Sequence, residues 1–179
     1  MKTLIGIAVM IVSGALLGGV ADAQTARAEL KDGDGKTVGE AVLEQKGKNV
    51  RITTNFNGMP PGTHAFHIHE VGKCEPPFES AGGHFNPAGK HHGKDNPMGP
   101  HSGDLPNVKV SKDGRAKVTA TAKGASLGSA PNGLLDADGA ALVVHEGADD
   151  YKSDPAGNAG KRFACGVIEP MTSSKAMTK

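Results

Sequence analysis

The chain has 179 residues, with 20 Lys+Arg against 19 Asp+Glu and a formal net charge of +1, a balance that excludes a general nucleic-acid binder, which needs a cationic excess. Its 26 glycines and 11 prolines make up about a fifth of the sequence against a usual share of roughly 12%, and aromatics are 3% with no Trp. Helical heptads do not run far through so much Gly and Pro, so long bundles and coiled coils are excluded in favour of a β-rich, loop-rich domain.

Met1-Lys2-Thr3 precedes an uncharged, mostly apolar run from Leu4 to Val20, and the next charge is Asp22. Ala21-Asp22-Ala23 has the small-x-small pattern of a signal-peptidase cut. Residues 1–23 therefore read as a secretory signal peptide and residues 24–179 as one domain, with 171–179 a polar, flexible tail. The competing reading is a transmembrane anchor. The run is 17 residues long and holds Gly6, Gly14, Gly18 and Gly19, at the short limit for a bilayer. No Cys near the cut offers a lipid anchor, so no stable membrane contact is expected after cleavage. In an oxidising compartment Cys74 and Cys165 are most simply one disulfide. It would close a loop of about 90 residues, worth at most about 4.5 kcal/mol in the chain-entropy model. Free thiols or metal ligands are the alternatives.

Short alternating runs follow. Arg27–Leu30 leads through Asp32-Gly33-Asp34-Gly35 into Val38–Glu44. Val50, Ile52, Thr54 and Phe56 share one strand face. Thr63–Glu70 reads as a strand, Asp113-Gly114 turns a hairpin between Asn107–Ser111 and Arg115–Thr121, and Ala141–His145 and Phe163–Ile168 complete about eight strands. That spacing favours an antiparallel sandwich or barrel. Two stretches resist the pattern. Gly72–Asn107 spans 36 residues with 7 Gly and 6 Pro, and Glu146–Lys161 is a shorter loop rich in Asp and Gly. A loop of the first length inside a compact domain is functional, tied down by something other than a core, or disordered.

Four of the eight histidines lie in the first loop. His67 and His69, two apart on a strand, leave the same face and make half of a square-planar site of the kind imidazole offers copper; the competing reading is one surface and one hydrogen-bonded strand histidine. His84, His92, His101 and Asp104 supply the three imidazoles and one carboxylate of a closed tetrahedral zinc site, which would also order the loop. His145 ends an apolar strand and points at whatever caps the sheet.

The motifs Gly62-Thr63-His64-Ala65-Phe66-His67-Ile68-His69-Glu70, Gly83-His84-Phe85-Asn86-Pro87, His101-Ser102-Gly103-Asp104-Leu105, Val143-Val144-His145-Glu146 and Arg162-Phe163-Ala164-Cys165-Gly166-Val167-Ile168 together resemble copper,zinc superoxide dismutase over nearly all of Thr25–Pro170. The leader segment, the Cys-Glu-Pro-Pro run and the residues between Cys74 and His84 resemble the bacterial periplasmic branch. The resemblance implies an all-β fold: an eight-stranded antiparallel Greek-key β-barrel, an immunoglobulin-like sandwich, with two long functional loops. It implies one copper and one zinc ion per subunit, the copper on His67, His69, His84 and His145 and the zinc on His84, His92, His101 and Asp104, so that His84 bridges. It implies a Cys74–Cys165 disulfide, Arg162 as the catalytic cation beside copper, His84 as a catalytic proton carrier, and Asp149 as the carboxylate linking the histidines of the two sites. His64 and His91 have no ligand counterpart; they read as structural and solvated.

The implied reaction is dismutation of superoxide, the substrate, to dioxygen and hydrogen peroxide, as antioxidant defence in the periplasm. Arg162 offers a planar donor fork to a small anion; a structural ion pair with an Asp of the second loop is the competing reading. Two other function classes are weaker. A barrel that merely buffers metal would have lost a copper ligand or the arginine, and a zinc hydrolase would leave the histidine set unexplained. Relatives include dimers and monomers, which leaves a homodimer open.

Overall fold

The computed structural model describes residues 24–129 and 131–171, so the expected signal peptide and residues 172–179 of the tail lie outside the described residues. Ten strands follow in chain order: β1 (Thr25–Asp32), β2 (Thr37–Lys46), β3 (Asn49–Asn57), β4 (Gly62–His64), β5 (Phe66–His69), β6 (Val108–Val110), β7 (Arg115–Lys123), β8 (Ala141–His145), β9 (Arg162–Val167) and β10 (Glu169–Pro170). Among the described residues the one helical element is a 3-10 turn at Glu79–Ala81.

Turn chemistry sets the local connections. Asp32 Oδ1 accepts the backbone N–H groups of Asp34 (3.1 Å) and Lys36 (2.9 Å) and so folds β1 back onto β2. Asp113-Gly114 makes the expected hairpin, with Gly114 at φ +78° and Ser111 N–H donating to the Arg115 carbonyl at 3.0 Å. The strands then order as β5-β8-β9-β1-β2-β3-β7, with β10 on β1 and a separate β4-β6 pair, every pair antiparallel. The β6–β7 hairpin and the short link from β4 to β5 curl this sheet into a Greek-key β-barrel.

The expected strand Thr63–Glu70 is two strands, because Ala65 changes partners. Its N–H donates to the Gly147 carbonyl (2.7 Å) and its own carbonyl accepts the His145 N–H (3.0 Å). Before it the chain pairs with β6, after it with β8. With the two-residue β10 this accounts for ten elements where the alternating pattern suggests eight.

Period-two alternation fills the barrel. Val50, Ile52, Thr54 and Phe56 are buried as read from the sequence, and they join Leu30, Leu43, Phe66, Ile68 and Leu142 in the interior. Phe56 and Phe66 meet edge to face at 5.6 Å. A smaller cluster of Phe78, Ala81, Ala141, Val143 and Cys165, with Cys74 against it, lies beneath the first long loop. Cys74 and Cys165 form the disulfide that tethers this loop to β9.

The long loop is ordered by backbone pairing with the free edge of β5. Ile68 N–H donates to Gly103, Phe85 N–H to Ile68, and Gly103 N–H to Phe85, each at 2.9 Å. Isolated bridges set His67 opposite Asp104 and His69 opposite His84. This closeness needs a glycine: a Cβ at Gly103 would stand 2.4 Å from the Ile68 carbonyl oxygen and 3.0 Å from the Phe85 nitrogen. Gly103→Ala is expected to destabilise the protein on the order of 2–3 kcal/mol, a fall in Tm of roughly 5–10 °C in a circular-dichroism melt. An unchanged Tm would show that the loop does not lie this tightly on β5.

Candidate metal centre

β5 is buried on both faces. Phe66 and Ile68 enter the barrel core, which sends His67 and His69 together to the outer side, 0% and 1% exposed. β8 ends at His145, where a register shift after Val144 sets it opposite Arg162. The loop laid along the edge of β5 adds His84. Ring nitrogens of His67, His69, His84 and His145 lie within 4.8 Å of one another, and so do the ligand atoms of His84, His92, His101 and Asp104. His84 belongs to both groups.

The hydrogen-bond pattern says which nitrogen faces each group. His69 Nδ1 lies 3.0 Å from the Gly82 carbonyl, His145 Nδ1 3.3 Å from Gly160, and His101 Nε2 3.1 Å from Lys90. His67 Nε2 and His92 Nε2 each lie 2.9 Å from one oxygen of Asp149. In a neutral ring, an N–H donated to its acceptor leaves the opposite nitrogen as a lone pair. Those opposite atoms include His67 Nδ1, His69 Nε2 and His145 Nε2, all buried without a hydrogen-bond partner, as is His84 Nε2. Buried polar atoms are ordinarily paired, and converging lone pairs repel unless a cation lies between them.

The second group shows the same requirement by crowding. His84 Nδ1, His92 Nδ1 and His101 Nδ1 surround Asp104 Oδ1 at 2.9, 3.0 and 3.2 Å. Ligands on zinc bonds of ~2.0 Å in a tetrahedron stand about 3.3 Å apart, close to the distances from the carboxylate oxygen to the three nitrogens. Both donor sets fit their metals: four imidazole nitrogens for copper, three imidazoles and a carboxylate for zinc.

Arg162 is half-buried beside the first group. Its guanidinium donates to the carbonyls of Phe78 and Gly82, each at 2.6 Å. No carboxylate of the described residues lies within salt-bridge distance of it, so the ion pair with an Asp of the second loop is not formed. The Gly82 carbonyl serves both Arg162 and His69. Of the two histidines outside the groups, His64 sits between the His145 and Pro60 carbonyls, at 3.0 and 2.9 Å, and His91 is exposed and contacts Asp154.

Several contributors escape a reading of residue types because they act through backbone. The Phe78 and Gly82 carbonyls are two of them. Gly157 is a third: at φ +66°, a Cβ there would stand 1.9 Å from Asp149 Oδ1 and 2.7 Å from His92 Nε2. A glycine within the Asp-rich loop Glu146–Lys161 is the one available signal.

Without metal, the ionisation of this cluster is strongly biased. Burial, then the neighbouring cations, lowers His69 to about 2, and burial likewise takes His145 to about 3. His84 falls to about 4, chiefly by burial and despite Asp104. Burial also pushes His92 down, but Asp104 and Asp149 outweigh it and raise the ring to about 9. Burial pushes the Asp104 and Asp149 carboxyls up, yet hydrogen bonds from the histidines hold both well below the ordinary carboxylate range.

The chain belongs to a family recognised along most of its length. The family description "Copper/zinc superoxide dismutase (SODC)" matches residues 37–168. The chain is 51% identical over 146 residues to "Superoxide dismutase [Cu-Zn] 2" of Aquifex aeolicus, covering 80% of this chain and 85% of that one. It is 43% identical over 149 residues to "Superoxide dismutase [Cu-Zn]" of Caulobacter vibrioides, covering 81% and 86%. Among solved structures, a SOD-like protein from Bacillus subtilis is similar at a TM-score of 0.75 and 43% identity, over 79% of this chain and 96% of that one. The chain is a member of the copper,zinc superoxide dismutase family, with one copper and one zinc ion per subunit as its cofactors.

The depressed histidines set a pH dependence for the chelator-stripped protein. Below the ordinary histidine value of about 6.5 the unfolded chain takes up protons that folded His84, His145 and His69 refuse, so stability falls with pH down through about 4, 3 and 2. His92 acts oppositely, since its contribution is complete below about 6.5 and is lost as pH rises through about 9. Three groups outweigh one on the acid side, so the Tm of stripped protein is expected to fall between pH 6.5 and pH 4. A flat or rising Tm over that window would contradict the neutral, lone-pair state of the three rings.

Proposed function

We propose that His67, His69, His84 and His145 hold copper, that His84, His92, His101 and Asp104 hold zinc, and that Arg162 guides superoxide to the copper side. The activity is dismutation: two superoxide anions and two protons give dioxygen and hydrogen peroxide. The observation that carries the assignment is the set of unpartnered buried nitrogens, His67 Nδ1, His69 Nε2, His84 Nε2 and His145 Nε2, converging within one small volume. Bound there, copper supplies the one-electron exchange between two oxidation states and zinc a fixed charge without redox chemistry.

The protein's own groups do the rest. Arg162 keeps its charge and spends two donors on the Phe78 and Gly82 carbonyls, which fixes the plane of the fork. Glu79 acts on it only from beyond salt-bridge distance, so the fork has no direct carboxylate partner among the described residues and suits a small anion. Its field reaches the His69 and His145 rings. His84 is the proton carrier: Nδ1 stays in the zinc group against Asp104, and Nε2, buried and without a protein partner, is the atom where a proton can sit beside the substrate and be passed on. Asp149 holds the Nε2–H of both His67 and His92, which keeps each Nδ1 pointed at its metal.

A metal-storing barrel without catalysis is the second reading, and the complete ligand set together with Arg162 speaks against it. The mature chain is assigned to the periplasm. The Cys74–Cys165 disulfide supports an oxidising compartment, and the apolar stretch Leu4–Val20 before Ala21-Asp22-Ala23 supports export.

The purified protein is expected to carry one copper and one zinc per chain and to consume superoxide in a manner abolished by chelators. Arg162→Ala is expected to lower kcat/KM severalfold or more at low salt, to weaken its salt dependence, and to leave metal content intact. Arg162→Lys, which keeps charge but not the two-carbonyl anchor, should recover part of the loss. Unchanged kcat/KM in Arg162→Ala at low salt would remove the arginine from the reaction.

A further inference from the structure

Tyr151 sits where the two long loops meet, and its backbone is held at φ +63°. Bulky side chains rarely adopt this left-handed conformation, and it persists where surrounding contacts over-determine it. Four contacts do so here. Tyr151 N–H donates to Asp149 Oδ1 at 2.7 Å. Its carbonyl accepts the Asp95 N–H at 3.1 Å. Its hydroxyl oxygen accepts the Asn107 N–H at 2.8 Å, and its ring lies 4.3 Å from the Lys94 ammonium. Lys94 and Asp95 belong to the stretch between His92 and His101, so this one residue, through backbone and side chain together, fastens that loop, the start of β6 and the Asp149 segment.

Asn107 completes the clamp. Its Nδ2–H donates to the Asp149 carbonyl and its Oδ1 accepts the Asp149 N–H, each at 2.9 Å. The main chain of Asp149 is thereby gripped on both sides, while the carboxylate divides between His67 and His92. The contact surface is closely fitted, since a Cβ on Gly93 would stand 2.1 Å from the Tyr151 carbonyl oxygen.

We infer that Tyr151, acting with Asn107, is a positioning residue that sets the aim of Asp149 and through it the retention of zinc. The effect falls mainly on zinc because of what carries each ring. His67 lies in β5, whose backbone ladder with β8 holds it regardless. His92 lies in a loop, and outside the zinc group its ring is anchored by Asp149 alone. If Asp149 moves, His92 loses its aim while His67 loses only the partner that polarises it.

The inference rests on the two-metal reading above, and the test separates the two. Zinc affinity is measured on the full chain with copper loaded, by competition with a chromophoric chelator at 25 °C. The variant is Tyr151→Gly, which is at ease at positive φ and keeps the backbone contacts while losing ring and hydroxyl. Zinc affinity is expected to fall tenfold or more, in the 10–100-fold range of outer-shell changes. Copper content should stay full, with a shifted copper(II) electron paramagnetic resonance spectrum reporting the loosened His67–Asp149 contact. A loss below tenfold, or a wild-type spectrum, would overturn the role of Tyr151. If Tyr151→Gly does not fold, Asn107→Ser is read by the same two criteria. Wild-type protein that binds no zinc would count against the two-metal reading instead.

Discussion

Imidazole nitrogens that are buried and aimed at one another without partners carry a cost that a cation in the space between them removes. This constraint organises the molecule. Five of the six clustered histidines spend one ring nitrogen on a carbonyl or on Asp149, and the opposite nitrogen is left to face a common point. His84 is the exception, since both of its nitrogens look into the clusters. A single ring shared in this way makes the two groups one electrostatic unit, so whatever changes the charge on one side is felt at the atom that borders the other.

The scaffold divides this work between strands and loops. β5 and β8 deliver His67, His69 and His145 from backbone that is hydrogen-bonded along its length, which suits the copper role proposed for this group, since such a site must keep its shape through repeated electron exchange. The zinc group is drawn from a loop that has little core of its own. It is shaped by the Ile68–Gly103–Phe85 backbone contacts and by the disulfide at Cys74, earlier in the same loop; an ion held there would order it further. The Gly82 carbonyl joins the two arrangements, because it accepts from both Arg162 and His69. Arg162 and His69, the cation and one ring of the proposed copper site, thus share one oxygen on a loop pinned by Cys74–Cys165.

Asp149 plays the matching part on the far side. One carboxylate serves both groups through their outward nitrogens, and a second tier of contacts, from Tyr151 and Asn107, restrains the carboxylate in turn. Strained backbone at Tyr151 and the absence of room at Gly93 and Gly157 show that this tier is closely fitted. Positioning here is layered, and each layer outward relies more on backbone and less on the identity of a side chain.

That gradient explains what could be read in advance. Period-two alternation, turn dipeptides and the density of Gly and Pro are local properties, so the barrel strands, the Asp113-Gly114 hairpin and the two long loops were legible in the chain. The residues that cluster were legible as well, since histidines two apart on a strand share a face, and motif resemblance placed His92 rather than its neighbour His91 in the second group and left His64 aside. The break of the expected strand at Ala65 was not legible, because it depends on a carbonyl of Gly147 arriving from a segment some eighty residues away. Nor were the carbonyls that orient Arg162 and the histidines, the close approach over Gly103, or the clamp on Asp149. Residue identity alone determined which groups were available to hold metal and carry charge. Which nitrogen of each ring turns inward, and how rigidly, was decided by contacts between distant parts of the chain, because a lone pair acquires its direction only when the opposite side of the ring is held.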